Sequence, residues 1–208
     1  MKWTQQFTIE RFAKSAARLM QFVCYFVIGF FALCTLLSCM GRQTFFLHTP
    51  MGSFGRAIYA EEDHDPSSRS MTVHMGDDIH VWADDPARID PAVQIGLSLM
   101  YAVHTVPLML ALWFLSRVFS NVHRGRIFTE QNAAYLLYYG LIQFAAAAVV
   151  PFVKLLICWL TNLVSDSRIS IATGQNTLSM LFPSIAFMVA AYIIHYGVHL
   201  QDEADHTL

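Results

Sequence analysis

The chain has 208 residues, of which 55% are hydrophobic and 13% charged, with a formal net charge of −2. Soluble domains carry about 25% charged residues, so the composition argues against a water-dissolved globule and for lipid as the main solvent. It has no basic tract that would mark nucleic acid as a direct ligand.

In chain order, residues 1–18 hold Lys2, Arg11, Lys14 and Arg18, and 19–40 are apolar without a charge. A membrane span needs about 20 such residues. The run exceeds the apolar stretch of a signal peptide, about 7–15 residues, so a retained anchor is expected. The stretch LLSC (36–39) resembles a lipoprotein cleavage site, but its second leucine and long upstream run disfavour cleavage. Residues 41–91 form a long loop with nine acidic side chains. Within it Met71, Val73 and Met75 alternate with Thr72 and His74, and Ile79 and Val81 alternate with His80 and Trp82. Period two on both sides of Gly76-Asp77-Asp78 predicts a β-hairpin. His64, His74, Asp77 and His80 are metal candidates there, with His74 and His80 expected to face one another. Imidazole and carboxylate suit Zn²⁺, although no zinc-ligand spacing is matched.

Residues 92–119 form the second predicted span, containing His104 and Pro107. A polar loop, 120–132, follows and ends in HRGRIFTEQN (123–132). Gly125 permits a turn after the second helix. Thr129 is placed to cap the third, with Glu130 in a first turn whose dipole favours acid. Asn132 stands where a capping box wants Glu or Gln. The third span, 133–160, carries Pro151 and Lys154, and the lysine is expected to snorkel to the interface. A short loop, 161–176, leads to the fourth span, 177–199, with Pro183. The tail, 200–208, carries Asp202, Glu203 and Asp205.

The apolar runs are continuous rather than alternating, which disfavours a membrane barrel. In hydrocarbon a single run satisfies its backbone only as a helix. The fold expected is therefore an all-α membrane protein of four helices, with a hairpin-containing extracytoplasmic loop between the first two. Seven Lys and Arg residues flank one side of the spans (Lys2, Arg11, Lys14, Arg18, Arg117, Arg124, Arg126). Five fall on the other (Arg42, Arg56, Arg69, Arg88, Arg168). Lys and Arg near span ends prefer the cytoplasm, so both termini and the 120–132 loop are expected there, in a bacterial inner membrane. Asp202, Glu203 and Asp205 could then latch onto Arg124 and Arg126.

Four cysteines, Cys24, Cys34, Cys39 and Cys158, lie in apolar segments without a Cys-x-x-Cys pair, so they read as small hydrophobes. A haem is poorly served, because His104 sits mid-span while His195 and His199 sit near one end. Metalloprotease and nucleophile-elbow motifs are absent from the sequence. The chain is expected to be no enzyme and to carry no cofactor.

The stretches FSNVHRGRIFTEQNAAYLLYYG and YGVHLQDEADHTL, with four spans and a long first outer loop, resemble the bacterial membrane-protein family called domain of unknown function 2975. Where the family has an acid followed by Leu before the final Thr, this chain has His206. The resemblance implies an integral membrane protein, some relatives being encoded beside small helix-turn-helix DNA-binding proteins. By position it points to Gly125, Phe128, Thr129 and Asn132, and to Gly197, Leu200, Glu203 and Thr207. With Arg124, Arg126 and Asp202 these make up the expected partner-binding surface. Three functions stand open: a regulator or sensor binding such a cytoplasmic transcription factor, a small transporter or channel using Lys154, and a metal-binding protein using the outer loop. Beyond the lipid bilayer itself, the small residues Ala145 to Ala148 allow close helix approach within one chain or in a homo-oligomer.

Overall fold

The computed structural model describes residues 2–40, 47–49, 52–54, 60–62, 70–74, 78–82, 90–165, 168–172 and 177–206. Four long helices dominate: α1 (Lys2–Cys39), α2 (Pro91–His123), α3 (Glu130–Val164) and α4 (Thr177–His206). Each contains a segment long and apolar enough to cross a membrane: Arg11–Cys39, Pro91–His123, Glu130–Val164 and Leu181–Leu200. The helices outrun the apolar runs that predict them. α1 begins at Lys2 rather than near residue 19, and α4 continues to His206 through the segment expected to be a tail. Polar residues prolong a helix at modest propensity cost once an apolar segment has nucleated it.

Among the described residues, six short strands accompany the helices: β1 (Leu47–Thr49), β2 (Gly52–Phe54), β3 (Ala60–Glu62), β4 (Ser70–His74), β5 (Asp78–Trp82) and β6 (Arg168–Ala172). β1 pairs with β2, and the others form an antiparallel sheet in the order β3-β4-β5-β6. In the β4–β5 register His74 stands opposite Asp78 and His80 opposite Thr72. The two histidines are therefore offset along the ladder and do not face one another. β6 lies in a segment expected to be loop; it places Ile169 opposite Val81 and Ile171 opposite Ile79. Ile79 and Ile169 are buried.

The chain divides into two compact units. The first comprises Met1–Phe30, Pro107–Ala147 and Leu178–Leu208. Its core is Val118 from α2, Leu136 from α3 and Ala191 from α4, with Leu115, Val122, Tyr135, Phe187 and Ile194 packed around them. Phe114 meets Tyr138 with ring centroids 5.2 Å apart, and Tyr139 meets Phe187 edge-on at 4.6 Å. α3 and α4 approach closely at Gly140, where a Cβ would lie 2.7 Å from Met188 Cγ and 2.9 Å from the Ser184 carbonyl oxygen. Helices packing in lipid rely on such small residues.

The second unit comprises Phe31–Val106 and Ala148–Thr177. A polar seam joins α1 to α2. Ser98 Oγ donates to the Ser38 carbonyl at 2.9 Å, as does Gln94 Nε2, and the hydroxyls of Thr35 and Thr105 lie 3.2 Å apart. The end of α3 holds β6 through Asn162. Its Nδ2 donates to the Ile169 carbonyl at 2.9 Å, and its Oδ1 accepts the Ile169 N–H at 2.7 Å. Asp90 caps α2 by accepting the Ala92 N–H at 3.1 Å, and its other carboxylate oxygen accepts the Ser165 hydroxyl. Lys154 is 4% exposed. Its stem is enclosed by protein instead of reaching outward as expected, because α3 turns this residue inward, not toward the surface.

Many large apolar side chains point outward, Phe22, Phe26, Phe152, Trp159, Phe182 and Tyr192 among them. Water does not tolerate so extensive an apolar surface on a monomer, whereas lipid does.

Two predictions follow from this packing. Gly140→Leu should lower the melting temperature in mild detergent by several degrees, and Gly29→Ala should not, since nothing lies within 4 Å of a Cβ at Gly29. The hydroxyl of Ser165, then the Ala92 N–H, hold the Asp90 carboxyl below its ordinary 3.8. Because the folded pKa is depressed, the cap's contribution is complete above pH 3.8 and fades as pH falls below it. Protection of the first-turn amides of α2 against hydrogen exchange should drop in that acid window, and Asp90→Asn should remove the pH dependence.

Candidate functional site

Both stretches that carry the family resemblance lie in the first unit. The backbone of the turn between α2 and α3 is closed by local hydrogen bonds. Gly125 has φ +80, a left-handed conformation that only glycine adopts cheaply. Its N–H donates to the Val122 carbonyl at 2.9 Å and the Arg126 N–H to the Asn121 carbonyl at 3.0 Å. This pair of bonds is a Schellman closure, which satisfies the last carbonyls of a helix. Four residues later Thr129 Oγ1 accepts the Asn132 N–H at 3.2 Å, capping α3 as expected from the sequence.

Asn132 explains why the capping box is incomplete. Its side chain is fully buried and does not reach back to the cap. Instead Nδ2 donates to the carbonyls of Arg126 and Ile127, at 2.7 and 2.9 Å, while Oδ1 accepts Asn121 Nδ2 at 2.8 Å. One amide thus satisfies two loop carbonyls and ties them to the end of α2. Glutamate could not donate these bonds. The turn is also fastened to α1, where His123 Nδ1 donates to the Lys14 carbonyl at 3.1 Å.

Within this frame Arg124, Arg126, Ile127 and Phe128 are exposed. Phe128 lies against the last turns of α4, where a Cβ on Gly197 would come within 3.3 Å of its Cδ1. Beside it Glu130 Oε2 and His195 Nδ1 are 2.9 Å apart, and His199 stands one turn further along α4 with its ring centroid 4.6 Å from that of His195. The structure therefore brings together Gly125, Phe128, Thr129, Asn132 and Gly197. Leu200 and Glu203 lie exposed on the same final turns. Asp202 lies in α4 but its side chain is not among those described, and Thr207 lies outside the described residues, as do His64 and Asp77. His74 and His80 are placed only by their strand register. Sequence reasoning used Glu130 only as a dipole partner and missed its meeting with His195 and His199; the spacing of four between the two histidines was the available signal.

Four helices long and apolar enough to span a bilayer, with a cap-closed polar turn packed on the end of the last helix, define the class: a helical multi-pass membrane protein. The family model for a protein of unknown function (DUF2975) matches residues 66–208, and the chain belongs to that family. No curated protein and no solved structure matches it.

Asn132→Ala should leave the Arg126 and Ile127 carbonyls without their donor and lower unfolding free energy in mixed micelles by roughly 2–3 kcal/mol. Asn132→Asp should cost at least as much, since it sets oxygen against oxygen. Gly125→Ala should cost about 1 kcal/mol and Gly125→Asn less.

Proposed function

We propose that this chain is a non-enzymatic regulator of the bacterial inner membrane that binds a cytoplasmic partner, a helix-turn-helix DNA-binding protein being the leading candidate. Both termini and the α2–α3 turn lie in the cytoplasm, following the Lys and Arg bias of the span flanks. The β3–β6 sheet lies on the extracytoplasmic side and serves as the sensing or packing element. The observation that carries the proposal is the packing of Phe128 against Gly197, which makes one surface from two stretches distant in sequence. That surface offers exposed cations, Arg124 and Arg126, beside the exposed apolar side chains of Ile127 and Phe128. A partner presenting acidic groups around an apolar patch fits it, since charge steers the encounter while buried aromatic contact holds the complex.

Crosslinking in the native host followed by affinity purification in mild detergent tests this directly. The expected result is one predominant cytoplasmic protein, with recovery reduced at least tenfold by Phe128→Ala combined with Arg126→Ala. Recovery of membrane lipids and chaperones alone would refute it.

A second function, passage of a small solute or ion, is favoured by the burial of Lys154, since ionisable groups inside membranes commonly serve transport. Lys154→Met should then abolish flux in reconstituted vesicles; unchanged flux removes that role.

A further inference from the structure

We propose that Glu130, His195 and His199 form a binding site for a divalent transition-metal cation of the zinc class. Each of the three side chains offers one ligand atom, and these atoms all lie within 4.8 Å of one another. Three features make this more than a chance meeting of polar groups.

The first is donor chemistry. Two imidazoles and one carboxylate form a ligand set that suits Zn²⁺, and with three protein ligands the fourth position stays open to water or to a partner's side chain. The second is spacing. Histidines four apart project from one face of a helix, and the two rings stand edge to face at 85°. Tetrahedral zinc with bonds of about 2.0–2.1 Å sets its ligand atoms roughly 3.3–3.4 Å apart. The 2.9 Å between His195 Nδ1 and Glu130 Oε2 needs to open by less than an ångström, and the separations to His199, within 4.8 Å, close by at most about 1.5 Å. The third is support. Glu130 is the first residue of α3, behind the Thr129 cap and two residues before Asn132. Phe128 is lodged against Gly197, between the two histidines on α4. The backbones that carry the ligands are thus held together before any cation arrives, which reduces the ordering cost of binding.

Bound metal would link the start of α3 to the final turns of α4. The site does not depend on the partner-binding proposal, because it is complete within one chain.

The test uses the full-length chain in nanodiscs, stripped with chelator and then titrated with Zn²⁺ by calorimetry and with Co²⁺ by visible absorption. The expected result is one metal per chain, with Co²⁺ bands of a four-coordinate N/O site. Glu130→Gln and His199→Ala should each weaken Zn²⁺ binding at least tenfold while the metal-free protein still folds and melts cooperatively; for Glu130→Gln a small drop in melting temperature is expected from the lost first-turn charge. If either variant misfolds, His195→Gln takes its place under the same criterion. A triple variant, His64→Ala, His74→Ala and His80→Ala, should bind as the parent does. Absence of stoichiometric binding overturns the proposal. So does binding that survives Glu130→Gln with His199→Ala, or that disappears in the triple variant. Both measurements are made without a partner, so their failure leaves the crosslinking result to be judged separately.

Discussion

In hydrocarbon no solvent accepts a backbone hydrogen bond, and that constraint organises this molecule. A helix satisfies its interior but leaves four N–H and four C=O groups open at its ends. Here side chains close several of those ends, and much of the specific polar chemistry among the described residues is found there. Gly125 and Thr129 close the termini that meet in the α2–α3 turn, and Asn132 takes the loop carbonyls that neither cap reaches. Asp90 caps α2 at its start, and Asn162 near the end of α3 holds the strand that follows. Between the ends the helices carry mainly apolar faces, interrupted by short hydroxyl contacts such as Ser38 with Ser98.

This arrangement has a functional consequence. A rigid turn whose backbone needs nothing from outside can present other side chains freely. Arg124, Arg126 and Phe128 are displayed by a loop whose own hydrogen bonds are internal. Glu130, at the first position of α3, is aimed at α4 by the same construction. Asn132 is thus structural in what it touches, yet it holds the turn that carries Arg124, Arg126, Phe128 and Glu130.

How much of this was legible in the sequence depends on distance along the chain. The spans are visible because a continuous apolar run has one stable form in lipid. Gly125 and Thr129 are visible because a left-handed turn and an N-cap are local demands. Asn132 shows up as a departure from the capping box, but its bond to Asn121 spans 11 residues and exists only once the turn has formed. β6 is hard to see because five residues of alternating character, between Ser165-Asp166-Ser167 and Thr173-Gly174-Gln175-Asn176, resemble a loop until a partner strand is known. The offset of His74 from His80 follows from the ladder register, which alternation alone does not fix. Glu130 and His195 are 65 residues apart, and nothing local announces their meeting.

The central claim is that the α2–α3 turn and the final turns of α4 make one surface on one side of the bilayer. Substituted-cysteine labelling tests it most directly, with Cys24, Cys34, Cys39 and Cys158 replaced and a single cysteine introduced at Arg126 or at Glu203. In intact spheroplasts both positions should resist a membrane-impermeant maleimide, and both should react once the membrane is permeabilised. If one position reacts before permeabilisation and the other only after it, the two stretches lie on opposite sides and the account is wrong.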